Sequence, residues 1–314
     1  MSWLSFSTAF AQPATFDASY TPPRTPYGHP DLQGIWSNAV VTPLERPLEL
    51  ADKAFLSEEE AELYEQRIEA ETNFDRRSED SEADTFQAYN QFWWDDGENV
   101  VATRRTSLII DPPDGRIPYL SPNARQRLEE RRNRMSVEFA DGPEDRPIME
   151  RCLNFPSAGP PMLPSFYNNN YHLVQNEDYV LIVNEMAHET RIIPLDGRPL
   201  LSDGMRRWLG SSRGHWEGDT LVVETTNFRE ETSFRGVSKN MRLTERFRRV
   251  ADNILMYEFT VEDPETFSRP WTAQVPSVAT DGLMYEYACH EGNRSLPSVL
   301  AGARAEERGA AKAQ

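Results

Sequence analysis

Long apolar runs are missing from this 314-residue chain. None approaches the roughly 18 consecutive apolar residues that a membrane-spanning helix needs, so no integral membrane span is expected. The phosphate loop, the dinucleotide glycine fingerprint, the Gly-x-Ser-x-Gly elbow and the His-Glu-x-x-His zinc motif are absent as well. Nucleotide, NAD and zinc chemistry therefore lack support. Gly210-Ser-Ser-Arg-Gly214 has a glycine-loop look, but no strand leads through it into a helix. Cysteine is nearly absent too: Cys152 and Cys289 are the only two. Cys289 adjoins His290, but no second close Cys/His pair stands ready to complete a zinc site. No cofactor and no metal are expected. Repeats of roughly 20–50 residues are also missing, which disfavours a propeller.

Positive charge is scarce. Lys and Arg number 33 against 51 Asp and Glu, a net charge of −18. Residues 51–100 alone carry a net −12. A field of that sign repels phosphate backbones and excludes nucleic acid as a natural partner. A solvated helix followed by a loop accounts for the acidic block.

What is present points to a β protein. Apolar residues make up 38% of the chain, enough for a packed core, and 23 prolines mark many ordered loops. Residues 1–24 read as a signal remnant and flexible arm: Ala9-Phe10-Ala11 has the small-x-small form of a signal peptidase site. Export to the periplasm or beyond is expected, with the cytoplasm as the alternative if that segment is not a signal. In an oxidising compartment Cys152 and Cys289 would form one disulfide; otherwise they are two buried thiols. Residues 25–305 read as one β-rich domain, and 306–314 as a flexible tail.

Two helices interrupt the domain. Ser57-Glu-Glu-Glu60 is a capping box opening a helix over 57–72, and Ser121-Pro122 starts another near 122–135. Its arginines, among them Arg127, face the acidic block or solvent. Pro30 to Trp36 reads as a first strand, and Thr106 to Ile110 as another. From residue 179 the signals are hairpins: Tyr179–Glu185 with Thr190–Leu195, Gly214–Trp216 with Thr220–Thr226, and Met241–Val250 with Ile254–Val261. Glu217-Gly218-Asp219 turns the second hairpin and Asp252-Asn253 the third, while Asp196-Gly197 follows the first as a turn. Trp271–Val275 and Tyr285–Cys289 are expected to complete the sheet. A meander of this length with one buried face curls, so the fold class is mainly β. It is an antiparallel β-barrel or strongly curved sheet with two or three peripheral helices. Any active site is expected on the concave face.

Alternation along strands selects candidates for that site. Glu245 shares a face with Met241, Leu243 and Phe247, whereas Arg242, Thr244, Arg246 and Arg248 take the other. An acid on an apolar face is either a tuned general acid or base, or half of an ion pair with a nearby arginine. Glu185, His188, Glu189 and Arg191 crowd one hairpin tip, where His and Glu can exchange protons and Arg can hold an oxyanion; a solvated turn is the simpler account. Trp94 stands in the aromatic run from Phe92, beside the Asp95-Asp96-Gly97 turn. Tyr167, Asn169 and Tyr171 belong to Tyr167-Asn-Asn-Asn-Tyr171, a loop suited to a barrel mouth. His290 follows the last expected strand.

Asp31-Leu-Gln-Gly-Ile-Trp36, Asp196-Gly-Arg-Pro199, Trp208-Leu-Gly210, Gly214-His-Trp-Glu-Gly-Asp-Thr-Leu-Val-Val223, Glu262-Asp-Pro264 and Arg269-Pro-Trp-Thr272 recur together. This combination resembles a large family of secreted bacterial proteins of unsettled activity, over about residues 25 to 305. The strand rhythm is similar to that of calycin-like barrels. In the family pattern a Glu or His near a hairpin tip precedes an Arg, which Glu185, His188 and Arg191 match. A further His before the Glu245 strand is replaced here by Ser238-Lys-Asn-Met-Arg242, against a two-histidine mechanism.

The functional expectation is a cofactor-independent lyase, isomerase or hydrolase acting on a small, partly apolar molecule. His188 would be general acid or base, Glu185 or Glu245 would orient it or carry the second proton, and Arg191 would hold developing charge. Trp94, Tyr167, Asn169, Tyr171 and His290 would contact the substrate. The alternative is a periplasmic, lipocalin-like carrier whose cavity binds the same kind of molecule. An open or a filled interior discriminates between them.

Overall fold

The computed structural model describes residues 16–17, 19–73, 75, 91, 94–95, 97–134, 140–155, 157–231 and 234–313. The signal-like segment, Phe92, Trp93 and most of the acidic connection lie outside them.

Ten antiparallel strands form one sheet that curls into a nearly closed barrel. The strands are β1 (Gly34–Ser37), β2 (Ile109–Asp111), β3 (Asn170–Gln175), β4 (Tyr179–Asn184) and β5 (Thr190–Pro194). They continue with β6 (Ser211–Glu217), β7 (Thr220–Thr226), β8 (Arg242–Ala251), β9 (Ile254–Glu262) and β10 (Trp271–Ala279). The order across the sheet is β5-β4-β3-β1-β10-β9-β8-β7-β6, with β2 added to β10. The three expected hairpins are all present. The motif residues build them: Gly218 turns β6 into β7 at φ +60°, a conformation that costs a glycine little.

Strand β1 joins the barrel's two halves, pairing with both β3 and β10. Trp36 explains why it stays there. Its ring is buried and its Nε1–H donates to the Leu32 carbonyl at 3.0 Å. Burying so large a ring with its one polar atom satisfied fixes the strand in place.

Strands β5 and β6 end the path, and side chains bring them together. A Cβ on Gly214 would lie 2.9 Å from Ile193 and 2.8 Å from Leu195. Only a residue without a side chain lets these branched residues close the seam.

Period-2 alternation runs as expected. On β8, Leu243, Glu245 and Phe247 point inward and Arg242, Arg246 and Arg248 outward. Trp36, Tyr171, Leu173, Ile182, Leu221, Val223, Leu243, Phe247, Tyr257, Phe259 and Trp271 belong to one buried cluster. The barrel interior is thus packed with side chains, a core rather than an open cavity.

Helix α1 (Glu58–Thr72) opens on the expected capping box, with Ser57 Oγ accepting from Glu60 N–H. Helix α2 (Pro122–Arg134) is capped by Ser121 Oγ, which accepts from Ala124 N–H at 3.2 Å. Arg127 is half-buried and donates to the Thr266 hydroxyl at 2.8 Å. Among the described residues no helix is long and apolar enough to cross a membrane.

Three elements differ from the sequence reading. Asn170–Gln175 is a strand, because its alternation begins inside the triple-asparagine run. Tyr285–Cys289 is not one: β1 already occupies the free edge of β10, so the segment crosses the barrel end as irregular chain. Residues 306–313, read as a tail, continue helix α3 (Ser295–Ala313), whose alanine-rich sequence has high helix propensity. Arg304 on α3 donates to the Asp141 carbonyl at 2.8 Å.

Candidate functional site

The four charged candidates separate into two places. Arg191 and Glu245 meet inside the barrel, where their side chains are 2% and 0% exposed. The guanidinium donates to both carboxylate oxygens, at 2.9 and 2.5 Å. Tyr257 Oη–H adds a 2.8 Å bond to Glu245, and Tyr257 Oη accepts from Met162 N–H at 3.1 Å. Ser212 and Thr225 accept from Arg191 on the other side, each at 3.4 Å. Burial and the adjacent carboxylate both push the Tyr257 phenol well above its usual value. The arrangement is a buried charge network that pairs both terminal nitrogens of Arg191 and leaves its Nε without a partner. It corresponds to the ion-pair reading of Glu245.

Glu185 and His188 stand at the barrel end, on the turn from β4 to β5. Ala187 and His188 both adopt left-handed backbone, at φ 56° and 45°. Two consecutive non-glycine residues in that region hold strain of about 1–3 kcal/mol each, the kind that surrounding structure must over-determine. Here the tail after β10 does so. His188 Nδ1 lies 3.1 Å from the Tyr287 carbonyl oxygen. A carbonyl can only accept, so Nδ1 carries a proton in this contact and Nε2 is the ring nitrogen left to give or take one. The ring is exposed.

Glu185 fixes the same tail. Its carboxylate accepts from the Tyr285 backbone N–H at 3.2 Å and from the Asn170 side-chain amide at 2.8 Å. The tail is then tied down by the Cys152–Cys289 disulfide, with Cα atoms 5.8 Å apart. Tyr287 therefore holds the His188 ring, and Glu185 and the disulfide hold the tail that carries Tyr287.

Aromatic rings continue the surface. Trp94 lies 5.2 Å from Phe166, Phe166 4.5 Å from Tyr167, and Tyr167 stacks on Tyr287 at 6.2 Å. Trp94 and Tyr167 thus fall on one row beside His188. Asn169 is buried under it and ties the loop: its Oδ1 accepts from Ser165 N–H at 2.7 Å, and its amide donates to the Asp95 carbonyl. Tyr171 is elsewhere. It is buried in the core and donates to Ser277 at 2.8 Å, so it presents no surface to a ligand at the rim. His290 is exposed, one residue beyond the disulfide.

Two acids at the rim carry altered protonation. The protein packed around the Asp95 carboxyl pushes it above 3.8, the Asn169 amide opposes, and nearby Glu185 adds to the rise. Burial likewise pushes Glu189 above 4.5, against the pull of His188. A histidine beside a carboxyl whose pKa burial raises is a pairing that acid/base chemistry can use. Asp95 and Tyr287 escaped the sequence reading. Asp95 looked like a turn residue, and the tail carrying Tyr287 looked like a strand. Among the described residues no cluster of three His, Cys, Asp or Glu could hold a metal ion.

No family model, curated protein or solved structure matches the chain. The functional reading accordingly rests on the residues themselves.

Proposed function

We propose that the protein is a cofactor-independent acid/base enzyme that acts at the rim of the barrel on a small, partly apolar molecule. The observation that carries this is the state of His188: a ring held through Nδ1, an exposed Nε2 and a strained backbone. In this reading Nε2 takes or returns the proton and Glu189 supplies the complementary one. Glu185 is a positioning residue that acts through the tail. The row of exposed Phe166 with half-buried Trp94 and Tyr167 supports the apolar part of the substrate, since such rings gain by covering apolar surface. Lyase, isomerase and hydrolase chemistry all use such a pair.

A lipocalin-like carrier would need space within the barrel, and the packed core works against it. The disulfide supports a secreted or periplasmic setting, because such bonds persist where the surroundings are oxidising.

The test is depletion of compounds from a complex metabolite extract, followed by mass spectrometry, with purified protein and with His188→Ala. Compounds consumed by the first and spared by the second support the reading. Equal consumption, or none, rejects it.

A further inference from the structure

A second site lies on the opposite side of the sheet, away from the rim. The outward faces of β7 to β10 form a cleft of about 490 Å³, closed on one side by Phe16, Asp17 and Tyr20. That volume is within the range of small-molecule pockets, roughly 300–1,000 Å³. Its wall is apolar at Val250 and Met256 and cationic at Arg246 and Arg248.

Three features set this cleft apart from an ordinary surface hollow. First, Thr103 lines it and is only 8% exposed, yet its hydroxyl has no hydrogen-bond partner. A buried hydroxyl without a partner is destabilising, so a ligand atom that displaced the side chains over it and met it would remove a penalty. Second, Arg248 has no acidic partner among the described residues, whereas Arg246 is engaged by Glu217. Third, the acids that face the cleft keep their charge but are hydrogen-bonded elsewhere than to Arg248. Asp17 accepts from Ser19 at 2.6 Å, and Glu258 accepts from the Gln274 amide at 2.7 Å. Gln274 in turn accepts from Arg105 at 2.8 Å. Burial lowers the Arg105 guanidinium to about 10, with Glu258 opposing, so a further cation backs the wall. In a chain of net charge −18, a guanidinium with no acidic partner among the described residues, set beside apolar side chains, is a distinctive combination.

We infer that this cleft binds an amphipathic monocarboxylate, with the carboxylate on Arg248 and the Thr103 hydroxyl and the apolar body along Val250 and Met256. Tyr20 closes the site from the N-terminal arm, where its hydroxyl is held by Asp252 at 3.1 Å.

Titration calorimetry of the full chain with decanoate tests this, with decanol and decyltrimethylammonium as matched neutral and cationic probes, all kept below micellar concentrations. Decanoate should bind saturably with one site and at least about tenfold tighter than decanol, as expected for one charge-assisted hydrogen bond. Arg248→Gln, on an exposed position, should remove that preference and leave decanol binding unchanged. Thr103→Val should weaken decanoate while raising the melting temperature, since it deletes an unpaired buried hydroxyl; a merely structural threonine would not separate the two. His188→Ala should leave decanoate binding intact, which keeps this site distinct from the rim. Absence of saturable decanoate binding, equal affinity for decanol, or an unchanged decanoate affinity in Arg248→Gln would overturn the inference.

Discussion

Arg191 on β5 grips the carboxylate of Glu245 on β8 with both terminal nitrogens, fully inside the barrel. The two strands are not hydrogen-bonded neighbours, since β7 and β6 stand between them on one side of the seam. The pair therefore bolts the closing edge of the sheet to its far wall. Removing one partner leaves a buried charge alone, which costs about 3–5 kcal/mol. Glu245→Ala and Arg191→Met should each destabilise by that amount in chemical denaturation. The double replacement Arg191→Met with Glu245→Leu should recover most of it, because an apolar pair has no charge to strand.

The seam makes a second prediction. Gly214 sits under Ile193 and Leu195, and a Cβ there would come within 2.9 Å of both. Gly214→Val should cost about 1–3 kcal/mol by overpacking. Hydrogen exchange should then quicken in β5 and β6 before it quickens in β9 and β10.

The hairpins were legible in the sequence because their information is local: alternation of period 2 on both sides of a short polar turn, such as Gly218-Asp219 or Asp252-Asn253. Alternation also put Glu245 on the inner face, and did so without knowledge of its partner. The partner itself was not legible, since Arg191 is 54 residues away and joined only by barrel closure. Strand β3 was hidden because three asparagines read as loop. Tyr285–Cys289 misled in the opposite direction. Its residues alternate well enough for a strand, but pairing needs a free edge, and β1 had taken it from a position some 250 residues earlier in the chain. The rim cluster draws on Trp94, Asp95, Tyr167, Glu185, His188 and Tyr287, which only the tail and its disulfide bring together.

That disulfide is the third point of test. It closes a loop of 137 residues, and the chain-entropy estimate for such a loop is about 5 kcal/mol. Cys152→Ser with Cys289→Ser should lose up to that much stability. More specifically, the amide of Tyr285 should lose exchange protection, since it donates to Glu185 only while the tail is held.

Acid pH gives a fourth. Asp95 has its carboxyl raised above 3.8 in the folded chain, chiefly by burial. A raised acid favours the protonated folded state. Its contribution to stability is therefore full below 3.8 and is lost as pH rises through the folded value. Relative to Asp95→Asn, the wild-type protein should gain stability on acidification across that window. A carboxyl-selective NMR titration should find the Asp95 midpoint above 3.8. A midpoint at or below it would mean that the carboxyl is better solvated or better paired than its surroundings indicate.

The central claim is that His188 Nε2 moves a proton on a bound small molecule. Its most direct test is the rate at which one depleted compound is consumed by wild-type protein, by Glu185→Gln and by His188→Ala, with folding checked by thermal denaturation. Loss of a general acid or base typically costs about 10²–10⁴-fold in rate. His188→Ala should fall by that factor with its melting temperature preserved, and Glu185→Gln by less, because it acts through the tail. Turnover that survives His188→Ala at the wild-type rate would contradict the account.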